Sequence, residues 1–366
     1  MKVLLLVLRG LQTAMLSPYG NRWIDTPNFD LLAEAGTVFD WHFANHPEQP
    51  LLSQDGEMAA LREAGNTVRL LRDRSRGVPP EAEPGEEFDG TDKTLQAARR
   101  ALRAGWQGLL IVELAALLPP WKIGAPFLET MFPPPELPPV SEEDEEEQED
   151  EEDQAALSPQ TEADAQGLEL LPEEEPLEPV LRPLLGPIDP TDDHMFLCIQ
   201  STYAAAVMHL DARIAELLDG LPDDVTLLVT SDAGFPLGEH GHLGPGGGLH
   251  EEWIHLPLLA VGPGIAPGSR RRTLTAASDL PATLAARFGL VRPGLDLLSP
   301  QARREAVLIQ SVSERGLRTE QWYLRVPALG EPQLYEKPCD RSERLNLAQV
   351  QFAQVEELLQ QVNTPV

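Results

Sequence analysis

Apolar residues fall along the chain in short unbroken runs separated by stretches of helical spacing. Val3–Leu8, Gly108–Leu114 and Val225–Thr230 are runs of strand length, and such runs predict strands covered on both faces. Leu256–Val261 predicts another, and Thr67–Leu71 a shorter one. Between them lie segments punctuated as helices. Thr26 fits an N-cap, Pro27 the first turn and Gly36 the stop of a helix carrying Leu31, Leu32 and Ala35. Further helices are predicted from Gln54 to Ala64, and from Thr91 or Asp92 through Leu95, Ala98 and Leu102 to Gly105. A long one runs from a cap at Thr191 or Asp192 to Leu218, with the apolar stripe Met195, Ile199, Thr202, Ala206, Leu210, Ile214 and Leu217. Ser278 to Gly289 reads as one more. Val307–Gln310, Gln321–Val326 and Gln333–Tyr335 predict a small antiparallel sheet, closed by an amphipathic helix over Leu347–Val362. Strand and helix in alternation predict an α/β fold, a mostly parallel sheet between helices.

One segment breaks the pattern. From Pro133 to about Pro190 the chain is rich in Pro and Glu, and this composition cannot bury enough apolar surface to offset the entropy of ordering. It predicts a disordered insertion over 133–190, dividing an α/β domain into residues 1–132 and 191–300, with 301–366 as the small sheet and helix. The insertion also relocates the charge. The chain has a formal net charge of −31, and 19 acidic residues with no Lys or Arg lie within 133–181. The remainder is only moderately acidic, which argues against a nucleic-acid or anionic-membrane surface. The acidic stretch itself suits either a basic protein partner or a solvated spacer.

Two cysteines, Cys198 and Cys339, are too few for a disulfide framework and have no metal-ligand spacing. A reducing, cytoplasmic setting is the expectation. The apolar run Val3–Leu8 is shorter than the core of a signal peptide, and no run approaches the ~18 apolar residues of a membrane span.

Candidate chemistry gathers after the strand Val225–Thr230. There the chain turns polar and glycine-rich, and Asp232 stands at the carboxyl end of a buried strand, where α/β sheets bind ligands. His240, His242 and His250 follow in the same loop. His209, on the long helix, reads as a packed histidine. The run Gly244–Gly248 lacks the Gly-Lys-Ser/Thr ending of a phosphate loop and reads as a turn.

Taken in order, VLLLVL, PYGNRWIDTPNFDLLAEAGTVFDWHFAN, YAAAVMHLDARIAELLDGL, LLVTSDAGFPLGEHGHLG, LHEEWIHLPLLAVGPG, SDLPATLAARFGL and LRTEQWYLRV with LYEKPCDRSERLNLA resemble the sulfatases of the alkaline-phosphatase superfamily. The resemblance covers nearly the whole chain outside the acidic insertion. It implies that family's fold, sulfate-ester hydrolysis, a divalent metal, usually calcium, and a formylglycine nucleophile made from Cys or Ser.

The family's site residues are largely replaced. The resemblance places an Asp-Asp metal pair after the first strand, where this chain has Arg9-Gly10. It places the nucleophile at or beside Gln49, an amide that cannot do this work, and leaves Ser53 as the nearby hydroxyl. Its Lys and His contacts to sulfate fall in Leu71–Gly77, here rich in arginine, and its Asp-Pro-His segment falls on Ala115-Ala116-Leu117. The second metal pair reads Asp232-Ala233, and Pro245 takes the place of a sulfate-binding lysine. Of the metal ligands Asp232 alone is kept.

The resemblance and these departures together suggest a catalytically inactive member, a pseudoenzyme with a binding or scaffolding role that needs no cofactor. Its vestigial pocket would comprise Arg9, Asp232, His240 and His242. Arg9 could pair with Asp232 or hold a small anion. The alternative is a sulfuric- or phosphoric-ester hydrolase with a metal site, zinc for example, rebuilt on Asp232, His240 and His242.

Overall fold

The computed structural model describes residues 1–51, 58–77, 84–134 and 175–363. In chain order its strands are β1 Lys2–Leu8, β2 Thr37–Phe43, β3 Val68–Asp73, β4 Glu86–Phe88, β5 Gly108–Leu114, β6 Gly186–Pro187, β7 Val225–Thr230, β8 His242–Leu243, β9 His255–Leu256, β10 Leu258–Val261, β11 Ser269–Ala276, β12 Ala306–Gln310, β13 Glu314–Thr319, β14 Trp322–Pro327 and β15 Gln333–Glu336. The helices are α1 Pro27–Ala35, α2 Ala59–Glu63, α3 Thr91–Arg103, α4 Ala125–Met131, α5 Asp193–Leu218, α6 Glu251–Ile254, α7 Leu280–Arg287 and α8 Phe352–Asn363.

A central sheet runs in the order β11-β2-β10-β7-β1-β5-β3-β4, with β9 paired to β2. β1 lies at its heart, parallel to both β5 and β7. Its side chains alternate between two cores. Leu4, Leu6 and Leu8 meet Leu95 of α3 and Ile199 and Tyr203 of α5, whereas Val3, Leu5 and Val7 meet Leu61 of α2 and Leu280 and Leu284 of α7. Burial on both faces is why these strands read as unbroken apolar runs. The sheet is mixed, because β10 runs antiparallel to both β7 and β2.

The small sheet β12-β13-β14-β15 is antiparallel throughout. One face, with Leu317, Leu324 and Leu334, is closed by Val355, Leu358 and Val362 of α8. The other, with Val307, Ile309 and Tyr323, packs on Phe43 and Trp253 of the main body.

Several expectations are corrected in detail. Asp192 caps α5 as expected, accepting from the Met195 amide at 2.9 Å, but Met195 itself is exposed. Thr26 makes no cap bond; its hydroxyl is engaged by Ser17. β2, β11 and β13 are additional strands, as are the short β4, β6 and β8. Residues 135–174 of the expected insertion lie outside the described residues, as does Ser53. The insertion's expected tail, 175–190, instead joins the body. Val180 donates to Thr202, Leu181 accepts from the Trp121 amide, and β6 pairs with β8. Among the described residues no helix is long and apolar enough to cross a membrane.

Candidate functional site

Register sets the centre of the site. β1 and β7 pair in parallel with Val7 opposite Thr230, so two residues further on Arg9 comes level with Asp232. The Arg9 Nε donates to Asp232 Oδ2 at 3.1 Å, and Nη1 donates to the Gly77 carbonyl at 3.1 Å. Asp232 Oδ1 accepts from the backbone amides of Gly10 at 3.1 Å and Ala233 at 2.8 Å. Both charged side chains are largely covered, with 14% and 20% of their surface exposed, so the pair is shielded more than a surface ion pair would be. Ser231 anchors the crossing from beneath, donating to the Leu8 carbonyl at 2.8 Å and accepting from the Leu11 amide at 3.2 Å.

Gly10 completes this turn. Its φ of +78° suits glycine, and a Cβ would lie 2.7 Å from the Leu118 side chain. Ala233 packs among Phe43, Leu249 and Trp253. Gln49 lines a cavity of about 110 Å³ together with Asp232. Small-molecule sites usually offer ~300 Å³ or more. Pro245 is exposed.

The nearby arginines are committed to the fold. Arg72 and Glu113 face each other on β3 and β5 as a buried ion pair. Arg76 donates to the carbonyls of Leu118 and Pro120, and Arg74 reaches Glu87 only at 3.9 Å on the surface.

The metal test follows from this donor set. Calcium takes six or more oxygen ligands. Beside Asp232 the structure offers a guanidinium and two amide N–H groups, all donors, aimed at the one carboxylate. These residues do not fit a divalent cation, and the amide of Gln49 does not fit as a formylglycine precursor. Arg9 gives its Nε to Asp232 and an Nη1 hydrogen to the Gly77 carbonyl.

The histidines go elsewhere. Asp232 lines two small cavities, whereas His240 lines a separate, larger one. His242 bonds the Gly244 carbonyl within its own turn, at 3.1 Å. His240 belongs to a second cavity, of about 650 Å³, beside Glu239, Glu251, Glu252 and Glu343. Its Nδ1 lies 2.7 Å from Glu252, and its ring stacks on His250 with centroids 3.5 Å apart. Burial pulls the His240 pKa down, but the Glu252 carboxylate outweighs this and holds it above the ordinary value. His250 is driven down to about 3, first by burial and then by the Arg325 guanidinium. Burial raises Glu343 to about 7, against the pull of Lys337. His240, His250 and Glu252 bring ligand atoms within 4.8 Å of one another. Sequence reasoning named the two histidines but missed their carboxylates: Glu252 lies in the same loop, two residues after His250, and Glu343 arrives from 93 residues away.

The sulfatase family model matches residues 100–290. The chain belongs to the sulfatase family. Choline-sulfatase of Rhizobium meliloti strain 1021 is 33% identical over 168 residues, which make up 40% of this chain and 32% of that protein. A phosphopentomutase of Vibrio cholerae serotype O1 is 37% identical over 87 residues, 24% of this chain and 20% of that one. This sulfatase-family chain thus matches about a third or less of the curated relatives' length. The structure of BT4656 in complex with its substrate D-glucosamine-2-N,6-O-disulfate superposes with a TM-score of 0.71 at 16% identity, covering 99% of this chain and 96% of that one. The phosphonate monoester hydrolase of Agrobacterium radiobacter gives 0.65 at 19%, covering 98% and 95%. At such identities these likenesses speak for the fold.

Proposed function

We propose that this sulfatase-family chain does not hydrolyse sulfate or phosphate esters and serves as a binding or scaffolding protein. One observation carries the reading: Asp232 has its oxygens taken by Arg9, Gly10 and Ala233. Losing a nucleophile, or the metal that neutralises a transferring anion, costs orders of magnitude in rate. The test is turnover of an aryl sulfate and of an aryl phosphodiester by the purified chain, with calcium present. No rate above buffer is expected; turnover that disappears in Asp232→Ala would sink the proposal.

In this reading the acidic stretch 133–181 is the contact for a basic protein partner. A salt-sensitive complex lost on deleting residues 136–174, which spares the packed tail, is expected; its survival in the deleted chain would place the contact elsewhere.

A second reading, a hydrolase with a rebuilt metal site, is favoured by one observation, the His240, His250 and Glu252 cluster. It is the weaker of the two. His250 Nδ1 is held 2.6 Å from Glu343, and Arg325 donates to its Nε2 at 2.6 Å, so a cation would have to displace a carboxylate and sit beside a guanidinium. Stoichiometric zinc uptake abolished by His240→Ala would reverse that ranking.

A further inference from the structure

Alternation along β13 turns Leu317 toward α8 and Arg318 toward the main body. There the Arg318 guanidinium lies over the Phe43 ring, 5.3 Å from its centroid, in a residue only 2% exposed. Among the described residues it makes no hydrogen bond or ion pair, and its Nε and Nη1 are buried without partners. Its neighbour Arg325, on β14, shows the contrast: Glu314 takes its Nε at 2.7 Å and its Nη2 at 3.0 Å. A buried, unpartnered guanidinium is costly unless something satisfies it.

Arg318 borders a cavity of about 310 Å³ between the edge of the central sheet and the small sheet. Arg270, Arg272 and Arg341 also line it, with Trp41 as an aromatic wall. The cavity's two carboxylates are already engaged. Asp40 is bound by Arg270 and Arg272, and Glu251 by Lys337 and His255. The side chain of Arg341 is exposed and has no partner among the described residues. With four guanidinium groups against two engaged carboxylates, the recess is cationic within a chain of net charge −31. Guanidinium groups present paired N–H donors that match oxyanions.

We propose that this cavity binds a phosphate or sulfate group, with Arg318 as the buried anchor and Arg341 closing from the rim. It shares no lining residue with the two cavities beside Asp232, so the proposal stands whether or not the family site is silent.

Equilibrium dialysis of the full chain with radiolabelled inorganic phosphate, at constant ionic strength in chloride, tests it. Saturable binding is expected, displaced by sulfate and not by acetate. Arg318→Gln should weaken it roughly tenfold or more, as loss of a charge-assisted hydrogen bond does, and Arg341→Ala severalfold. Should Arg318→Gln fail to fold, Arg341→Ala, which removes an exposed side chain, carries the test alone. Absence of saturable binding over chloride would overturn the proposal. So would unchanged binding in Arg341→Ala together with a folded Arg318→Gln, or loss in Arg9→Ala with both of the other variants intact.

Discussion

Arg9 and Asp232 occupy equivalent positions just past two neighbouring parallel strands, and the register of those strands brings the guanidinium to within 3.1 Å of the carboxylate. The pair is an internal contact, with both Asp232 oxygens engaged. Removing either partner strands the other in a largely covered setting. Arg9→Ala and Asp232→Ala are each expected to cost roughly 1–3 kcal/mol. The double variant should cost clearly less than the sum, as expected for groups in direct contact. Urea unfolding of the four proteins measures this; additive losses would mean that the two side chains do not interact.

The turn at Gly10 is expected to tolerate no side chain. Its φ is +78° and a Cβ would press on Leu118. Gly10→Ala should therefore destabilise by about 1–2 kcal/mol from the left-handed backbone alone, and more from the contact. A shift in the urea midpoint reads the effect.

Between the two sheets, Glu314 serves two groups at once, accepting from the Leu249 amide at 2.7 Å and from Arg325. Glu314→Ala would leave a buried guanidinium without its carboxylate. A loss of about 3–5 kcal/mol is expected, with the Leu249–His250 segment exchanging amide hydrogens faster.

Acid should destabilise the fold through His42. It is fully buried on β2, with Nδ1 3.0 Å from Thr275 and Nε2 unpartnered. Burial lowers its pKa from 6.5 to about 3, despite the opposing charge of Asp279. Because the folded value is depressed, its contribution is complete above about pH 6.5 and is lost as pH falls toward 3. The slope is up to about 1.4 kcal/mol per pH unit. His42→Leu should flatten that limb of the stability curve by about one proton; an unchanged slope would contradict the assignment.

Much of the fold was legible in the sequence because β1, β5 and β7 are buried on both faces and carry unbroken apolar runs. β11 and β13 were not. Arg270 and Arg272 stand exposed on an edge strand, where charge blunts pairing with other chains. In β13, Glu314 and Arg318 are buried among charges and neighbours from other strands, so the alternation is masked. At the site the resemblance marked departures at Arg9, Gly10, Gln49 and Ala233. That Arg9 answers Asp232 depended on strand register, which no local pattern carries. Around His240 and His250, Glu239, Glu251 and Glu252 stand next to the histidines in the chain, whereas Glu343 arrives from 93 residues away and no local pattern points to it.

The central claim is that Asp232 is the partner of Arg9 and no longer a metal ligand. Calorimetric titration of the full chain with calcium tests it most directly. No stoichiometric binding is expected. Tight one-to-one calcium binding by the natural chain, abolished by Asp232→Ala, would contradict the account.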